Sequence, residues 1–279
     1  MIASSPNEIR FAQRRPWLGT SWKMNKTVAE AMEYARLLAV WAQTAPVEAS
    51  IAILPPFTAL ARVAEVLQGG VTRIPVQLGA QNMHWEDAGP FTGEISPVML
   101  RDAGANLVEI GHFERRTAFG ETDITVNHKL RSALRHNLSV VLCVGEDEST
   151  RDFGVVQEFL SIQLKIALHE VPASALSDIV VAYEPGWAIG SQGSSASAEQ
   201  VSTVHRHLRS TLVGLYGVDH ATATRIVYGG SVTCEGVSTY ASIPDVDGLF
   251  VGRAAWEVSD FVRIIEAFCA ARAGYHRTA

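Results

Sequence analysis

The feature that most constrains this chain is a repeated alternation of short apolar runs with longer amphipathic stretches, eight cycles in all. The apolar runs read as strands at Trp17–Trp22, Ser50–Leu54, Ile74–Ala80, Asn106–Ile110, Ser139–Val144, Ile179–Tyr183, Arg225–Tyr228 and Asp247–Val251. Helical spacing is expected over 27–42, where Ala31, Tyr34, Ala35 and Leu38 share a face, and over 57–67, 97–103, 123–136, 153–169 and 198–216. A further helical pattern follows each of the last two strands. Near-continuous apolar strands separated by helices form parallel sheets covered on their faces. A closed eight-stranded barrel uses the count without remainder. An open doubly wound sheet would carry a glycine fingerprint after its first strand, and Gly19-Thr20-Ser21-Trp22 is not one. The expected fold class is therefore α/β, a single closed (β/α)8 barrel over 16–270. A flexible extension over 1–15 and a tail over 271–279 flank it. The 279 residues would allow two domains by length, yet one such barrel takes about 250.

Composition narrows the function classes. Hydrophobic residues are 47% and charged residues 19% of the chain, which excludes a disordered or fibrous protein. With 23 Lys and Arg against 29 Asp and Glu the formal charge is −6, and no basic surface announces nucleic acid. Cys143, Cys234 and Cys269 are widely spaced and lack zinc or redox spacing, as expected of free thiols in a reducing cytoplasm. No apolar run reaches the 18 or so residues of a membrane span, and residues 1–16 lack the apolar segment of a secretory signal. No HExxH pair or other metal-ligand spacing occurs, so neither metal nor cofactor is expected.

In such barrels chemistry sits at the C-terminal ends of the strands. That rule selects Lys23 after the first strand, Asn82 and His84 after the third, His112 and Glu114 after the fourth, and Glu146 after the fifth. It also selects Glu184 after the sixth, Gly229, Gly230 and Ser231 after the seventh, and Gly252 and Arg253 after the eighth. Glu184 stands between an apolar run and Pro185, where partial desolvation would raise its pKa toward a working base. An isolated Glu there would be a surface charge before a turn, but the following loop carries Trp187, Ala188 and Ile189 between glycines, as a closing lid would. A lone His after a strand is more often a packing residue. Gly111 beside His112, and a new helical turn at Glu114-Arg115-Arg116, favour a neutral imidazole able to polarise a carbonyl. Lys23 alone of four lysines ends a strand, where it could stabilise an anion or form a Schiff base. The turns at Gly229-Gly230-Ser231 and Gly252-Arg253 offer backbone N–H groups of the kind that hold phosphate. The set suits proton abstraction beside a carbonyl in a sugar phosphate.

At these residues the sequence resembles the triosephosphate isomerase family from Trp17 to about Phe268, and the fold the resemblance implies is the TIM barrel. The motifs occur in family order: Trp22-Lys23-Met24-Asn25, Gly79-Ala80-Gln81-Asn82, Phe91-Thr92-Gly93-Glu94-Ile95-Ser96, Gly111-His112 with Glu114-Arg115-Arg116, Cys143-Val144-Gly145-Glu146, Tyr183-Glu184-Pro185, and Tyr228-Gly229-Gly230-Ser231-Val232. The resemblance implies Glu184 as the proton-moving base, His112 as the neutral electrophile, Lys23 as the electrostatic clamp and Glu114 as its ionic neighbour, roles for which this family is the standing example. It implies Gly190, Ser231, Gly252 and Arg253 as main-chain phosphate holders. It also implies a homodimer through the 82–94 loop, which is longer than a barrel turn requires and carries His84, Trp85, Pro90 and Phe91.

The chain departs from the family at several points. Ser21 stands where the family has Asn, Phe113 where it has Ser, Arg253 where the eighth loop commonly has a second Gly, and Gly186 where it commonly has Val. The last change would loosen the lid's first hinge. Gly19 to Thr27, Asn82 to Trp85 and Gly248 to Arg253 look like the L-erythrulose-1-phosphate isomerases of tetritol catabolism. There, a substrate with one extra hydroxymethyl group needs room and a polar partner, and Ser21 supplies both. The expected function is thus isomerisation of L-erythrulose 1-phosphate to D-erythrulose 4-phosphate through an enediol. The alternatives are a true triosephosphate isomerase of glycolysis and gluconeogenesis, and a non-catalytic sugar-phosphate binding protein.

Overall fold

A computed structural model describes residues 14–69, 72–189 and 195–278. Eight parallel strands pair in sequence order and close, β8 onto β1: β1 Trp17–Ser21, β2 Ser50–Leu54, β3 Val76–Ala80, β4 Leu107–Ile110, β5 Ser139–Val144, β6 Ile179–Tyr183, β7 Arg225–Tyr228 and β8 Gly248–Val251. Outside them lie the helices α1 Val28–Thr44, α2 Phe57–Gln68, α3 Pro97–Asp102, α4 Phe113–Phe119, α5 Asp123–Arg135, α6 Glu148–Asp152, α7 Val156–Ala167, α8 Ala198–Ala223, α9 Val237–Ala241 and α10 Val258–Thr278. Among the described residues no helix is long and apolar enough to cross a membrane.

Strand alternation divides the core in two. Trp17, Ala52, Leu54, Leu107, Val141, Cys143, Val180, Ala182, Val227 and Phe250 point inward and fill the barrel. The intervening residues, such as Leu18, Ile51, Ile53, Val108, Ile110, Val140, Leu142 and Val181, pack outward on the helices. Gly19 is part of this filling, since a Cβ there would lie 2.3 Å from the Trp17 ring. Helix starts follow local chemistry. Thr27 and Glu30 form a reciprocal capping box on α1, and Ser197 with Gln200 does the same on α8.

Three stretches differ from the sequence reading. The helix expected over 153–169 is α7, which starts only at Val156 because Gly154 turns left-handed (φ 72°), and a separate short helix that was not expected, α6, capped by Asp147, precedes it. The helix expected to stop at Tyr216 runs to Ala223 across a kink at Gly217. The stretch from 271 read as a tail continues α10 through Thr278. Arg272 in that stretch is buried and lies 3.5 Å from Asp247. At the other end Arg14, read as part of the extension, lies 2.6 Å from the same carboxylate. Arg209 makes a third partner at 2.9 Å, and Asp247 also accepts the Ile226 N–H. Residues 1–13 of the extension lie outside the described residues.

Candidate active site

A cavity of about 370 Å³ opens at the C-terminal mouth of the barrel. Ser21, Lys23, His112, Glu114, Glu184, Ser231, Gly252 and Arg253 all line it, while Asn82, His84 and Glu146 do not and Gly190 lies outside the described residues. Its size is at the small end of the range for ligand sites.

Glu184 continues the inward register of Val180 and Ala182, one step beyond β6. It is 3% exposed, and burial pushes its carboxyl up to about 7, against the pull of Lys23. Its Oε2 has no hydrogen-bond partner among the described residues and lies 3.6 Å from His112 Nε2. Gly229 makes this position possible, since a Cβ there would sit 2.7 Å from Glu184 Cγ.

His112 caps α4. Its Nδ1 accepts the Glu114 N–H at 3.1 Å, which places the ring proton on Nε2, the nitrogen facing Glu184. Burial first, then the charges of Lys23 and Arg115, depress its pKa to about 3. The imidazole is neutral at physiological pH and can donate a hydrogen bond to a carbonyl oxygen.

Lys23 holds a left-handed backbone, φ 54°, which is uncommon for a residue with a side chain. Gln81 holds it there: its amide donates to the carbonyls of Lys23, at 3.1 Å, and Leu54, at 2.8 Å. The strained turn directs the ammonium over the mouth, 2.7 Å from Glu114 Oε1. In the sequence Gln81 stands only as one member of the Gly79-Ala80-Gln81-Asn82 motif, and this role is not legible there.

The lid and the phosphate turns meet. Gly186 N–H donates to Glu146 O at 2.7 Å, and the Glu146 carboxylate accepts the Trp187 indole N–H at 2.8 Å and the Tyr183 hydroxyl at 3.0 Å. Glu146 is therefore a lid anchor and not a cavity group. Ser231 N–H, expected from the sequence to hold phosphate, donates to Ala188 O at 3.0 Å.

Asn82 and His84 do not enter the cavity. Asn82 accepts from Lys129, which also pairs with Glu121. His84 stacks between Trp85 and Phe91, both at 4.2 Å, and shapes the 82–94 loop. At Gly186, the glycine expected to loosen the lid, the N–H donates to Glu146 O and the Phe113 ring fills the space beside it.

One cavity residue was missed. Glu109, on β4, shares the inward face of Leu107, is 2% exposed, and lines the cavity floor. A carboxyl oxygen of Glu109, one of Glu184 and the Cys143 sulfur all lie within 4.8 Å of one another. Burial pushes the Cys143 thiol well above its usual range. The signal was available as a charged residue at an inward position of an apolar strand.

A barrel whose mouth holds a desolvated carboxylate, a neutral imidazole and an ammonium beside glycine-rich turns is an isomerase that moves a proton next to a carbonyl. Similarity to known proteins is consistent with that class. A family model described as triosephosphate isomerase matches residues 16–268. The triosephosphate isomerase of Chloroflexus aurantiacus is 45% identical over 253 residues, covering 90% of this chain and 98% of that protein. The L-erythrulose-1-phosphate isomerase of Mesorhizobium japonicum is 43% identical over 250 residues, covering 89% and 95%. The crystal structure of triosephosphate isomerase from Bartonella henselae superposes with a TM-score of 0.81 at 33% identity, covering 91% of this chain and 99% of that one. The chain belongs to the triosephosphate isomerase family.

Proposed function

We propose that this isomerase interconverts L-erythrulose 1-phosphate and D-erythrulose 4-phosphate. Glu184 takes the proton from C3, while His112 Nε2–H donates to the oxygen on C2 and Lys23 balances the negative charge of the enediolate. The C3–H electron pair becomes the C2–C3 double bond of this intermediate. Glu184 then returns the proton to C2, and one hydroxyl proton passes from the C3 oxygen to the C2 oxygen through His112. C3 is oxidised to the carbonyl and C2 reduced to the alcohol, so electrons balance within the substrate. Ser231, Gly252 and Arg253 at the cavity rim would bind the phosphate through main-chain donors, with Gly190 joining them.

The observation that carries the four-carbon reading is the polar floor of the cavity. Ser21, smaller than the family's Asn, ends β1, and Glu109 lies within the same cavity. Identity alone does not choose between substrates: relatives named for the triose and for the tetrulose stand at 45% and 43%. The first of these favours a second reading, interconversion of dihydroxyacetone phosphate and D-glyceraldehyde 3-phosphate. To test the first reading, L-erythrulose 1-phosphate is followed by NMR with the wild type and with Glu184→Gln. Formation of D-erythrulose 4-phosphate by the wild type alone supports it, and absence of tetrulose turnover overturns it.

We further infer a cytoplasmic homodimer joined through the 82–94 loop. Phe91 on that loop and Val98 and Met99 just after it are exposed apolar residues suited to such a contact. Sedimentation at the monomer mass would contradict the dimer.

A further inference from the structure

The ring topology orients any linear substrate. The turns offered for phosphate follow β7 and β8, and in the closed order β4 lies four strands from β8, on the opposite side of the barrel. A keto phosphate anchored at those turns, with its reacting carbons between His112 and Glu184, extends its far end toward β4. The inward-facing polar side chain of β4 is Glu109.

We propose that Glu109 selects the substrate by hydrogen-bonding the terminal hydroxyl of a four-carbon keto phosphate, with the Ser21 hydroxyl completing the floor. The inference rests on the tetrulose reading and deepens it. Three observations support it. Glu109 is buried, borders the cavity, and stands within 4.8 Å of Glu184, close enough to meet a group attached to the carbon that Glu184 deprotonates. A carboxyl at an inward strand position costs stability relative to an apolar side chain, so a compensating role is expected of it. Burial, and then the charge of Glu184, push its carboxyl well above the usual range, against the pull of Ser21. A carboxyl at this place can accept from a hydroxyl proton and, when protonated, donate to a hydroxyl oxygen as well. A triose phosphate has no group to meet it.

The test is a cycle between one side chain and one substrate hydroxyl, using L-erythrulose 1-phosphate, its 4-deoxy analogue, the wild type, Glu109→Val and Glu109→Gln. Wild type should lose about tenfold or more in kcat/KM on the 4-deoxy analogue, because the hydrogen bond between the carboxyl and the terminal hydroxyl is not made. Glu109→Val should turn over the two compounds within about threefold of each other while melting no lower than wild type, and Glu109→Gln should keep most of the discrimination. Equal turnover of both compounds by the wild type would overturn the inference while leaving tetrulose isomerisation standing. So would undiminished discrimination in Glu109→Val. If the Glu109→Val variant fails to fold, the wild-type comparison decides by itself. Absence of any wild-type turnover of L-erythrulose 1-phosphate would instead overturn the substrate reading, and this inference with it.

Discussion

The phenyl ring of Phe113 occupies the space that a side chain on Gly186 would need: a Cβ built on Gly186 would lie 2.2 Å from the ring's Cε2. The two departures from the family pattern, Phe for Ser and Gly for Val, are thus one packing arrangement between the start of α4 and the base of the lid. Gly186→Val alone should cost about 1–3 kcal/mol and lower turnover, because it overpacks the lid base. Gly186→Val combined with Phe113→Ser should recover most of both losses. Thermal melts and kcat across the four-member cycle measure the coupling, and additive effects would contradict it.

As the proposed base, Glu184 should set the pH response. With its carboxyl at about 7 in the folded protein, kcat/KM should fall as pH drops below that value, since the base must be ionised. Stability runs the other way. The folded pKa exceeds the reference value of 4.5, so the native state loses stability as pH rises from 4.5 through 7. Glu184→Gln should therefore melt higher than wild type at pH 8, by the equivalent of about 3 kcal/mol at most, and no differently near pH 4. Parallel melts at the two pH values check the sign.

Gln81 does not line the cavity but donates to the Lys23 carbonyl beside it. Gln81→Ala removes the two hydrogen bonds that hold the left-handed turn. The ammonium should wander, and kcat/KM should fall about tenfold or more, with the pH profile's acid limb moved up because Glu184 loses part of the pull of Lys23. A loss confined to thermal stability, with kcat/KM intact, would contradict the positioning role.

Asp247 is a structural counterpart. Burial alone would raise its carboxyl pKa, but Arg14, Arg209 and Arg272 together hold it below the usual range. Asp247→Asn should destabilise by about 3 kcal/mol, because it removes the buried carboxylate that three guanidinium groups share, although Arg14 and Arg209 keep Asp245. Since the folded pKa is depressed, this stabilisation is present above the unfolded value and is lost as pH falls through the folded one. The wild-type and Asp247→Asn melting curves should converge in acid.

Strand count, order and the positions of Lys23, His112 and Glu184 were legible because alternation and strand ends are local properties. β2, β5, β6 and β7 begin and end where the apolar runs do. What escaped were features decided between distant segments. Gly186 read locally as a flexible hinge, and only the ring across from it gives the reason for a missing side chain. Glu109 read as one more strand residue until the register of β4 turned it inward. Arg14 and Arg272 read as parts of a leader and a tail, and a buried carboxylate more than 200 residues from Arg14 ties both to the barrel.

The choice of sugar separates the two substrate readings. The most direct measurement is kcat/KM for L-erythrulose 1-phosphate and for D-glyceraldehyde 3-phosphate with one enzyme preparation at one pH. The proposed seating of an extra hydroxymethyl group on the polar floor predicts a preference for the tetrulose of about tenfold or more. More efficient turnover of the triose would contradict it.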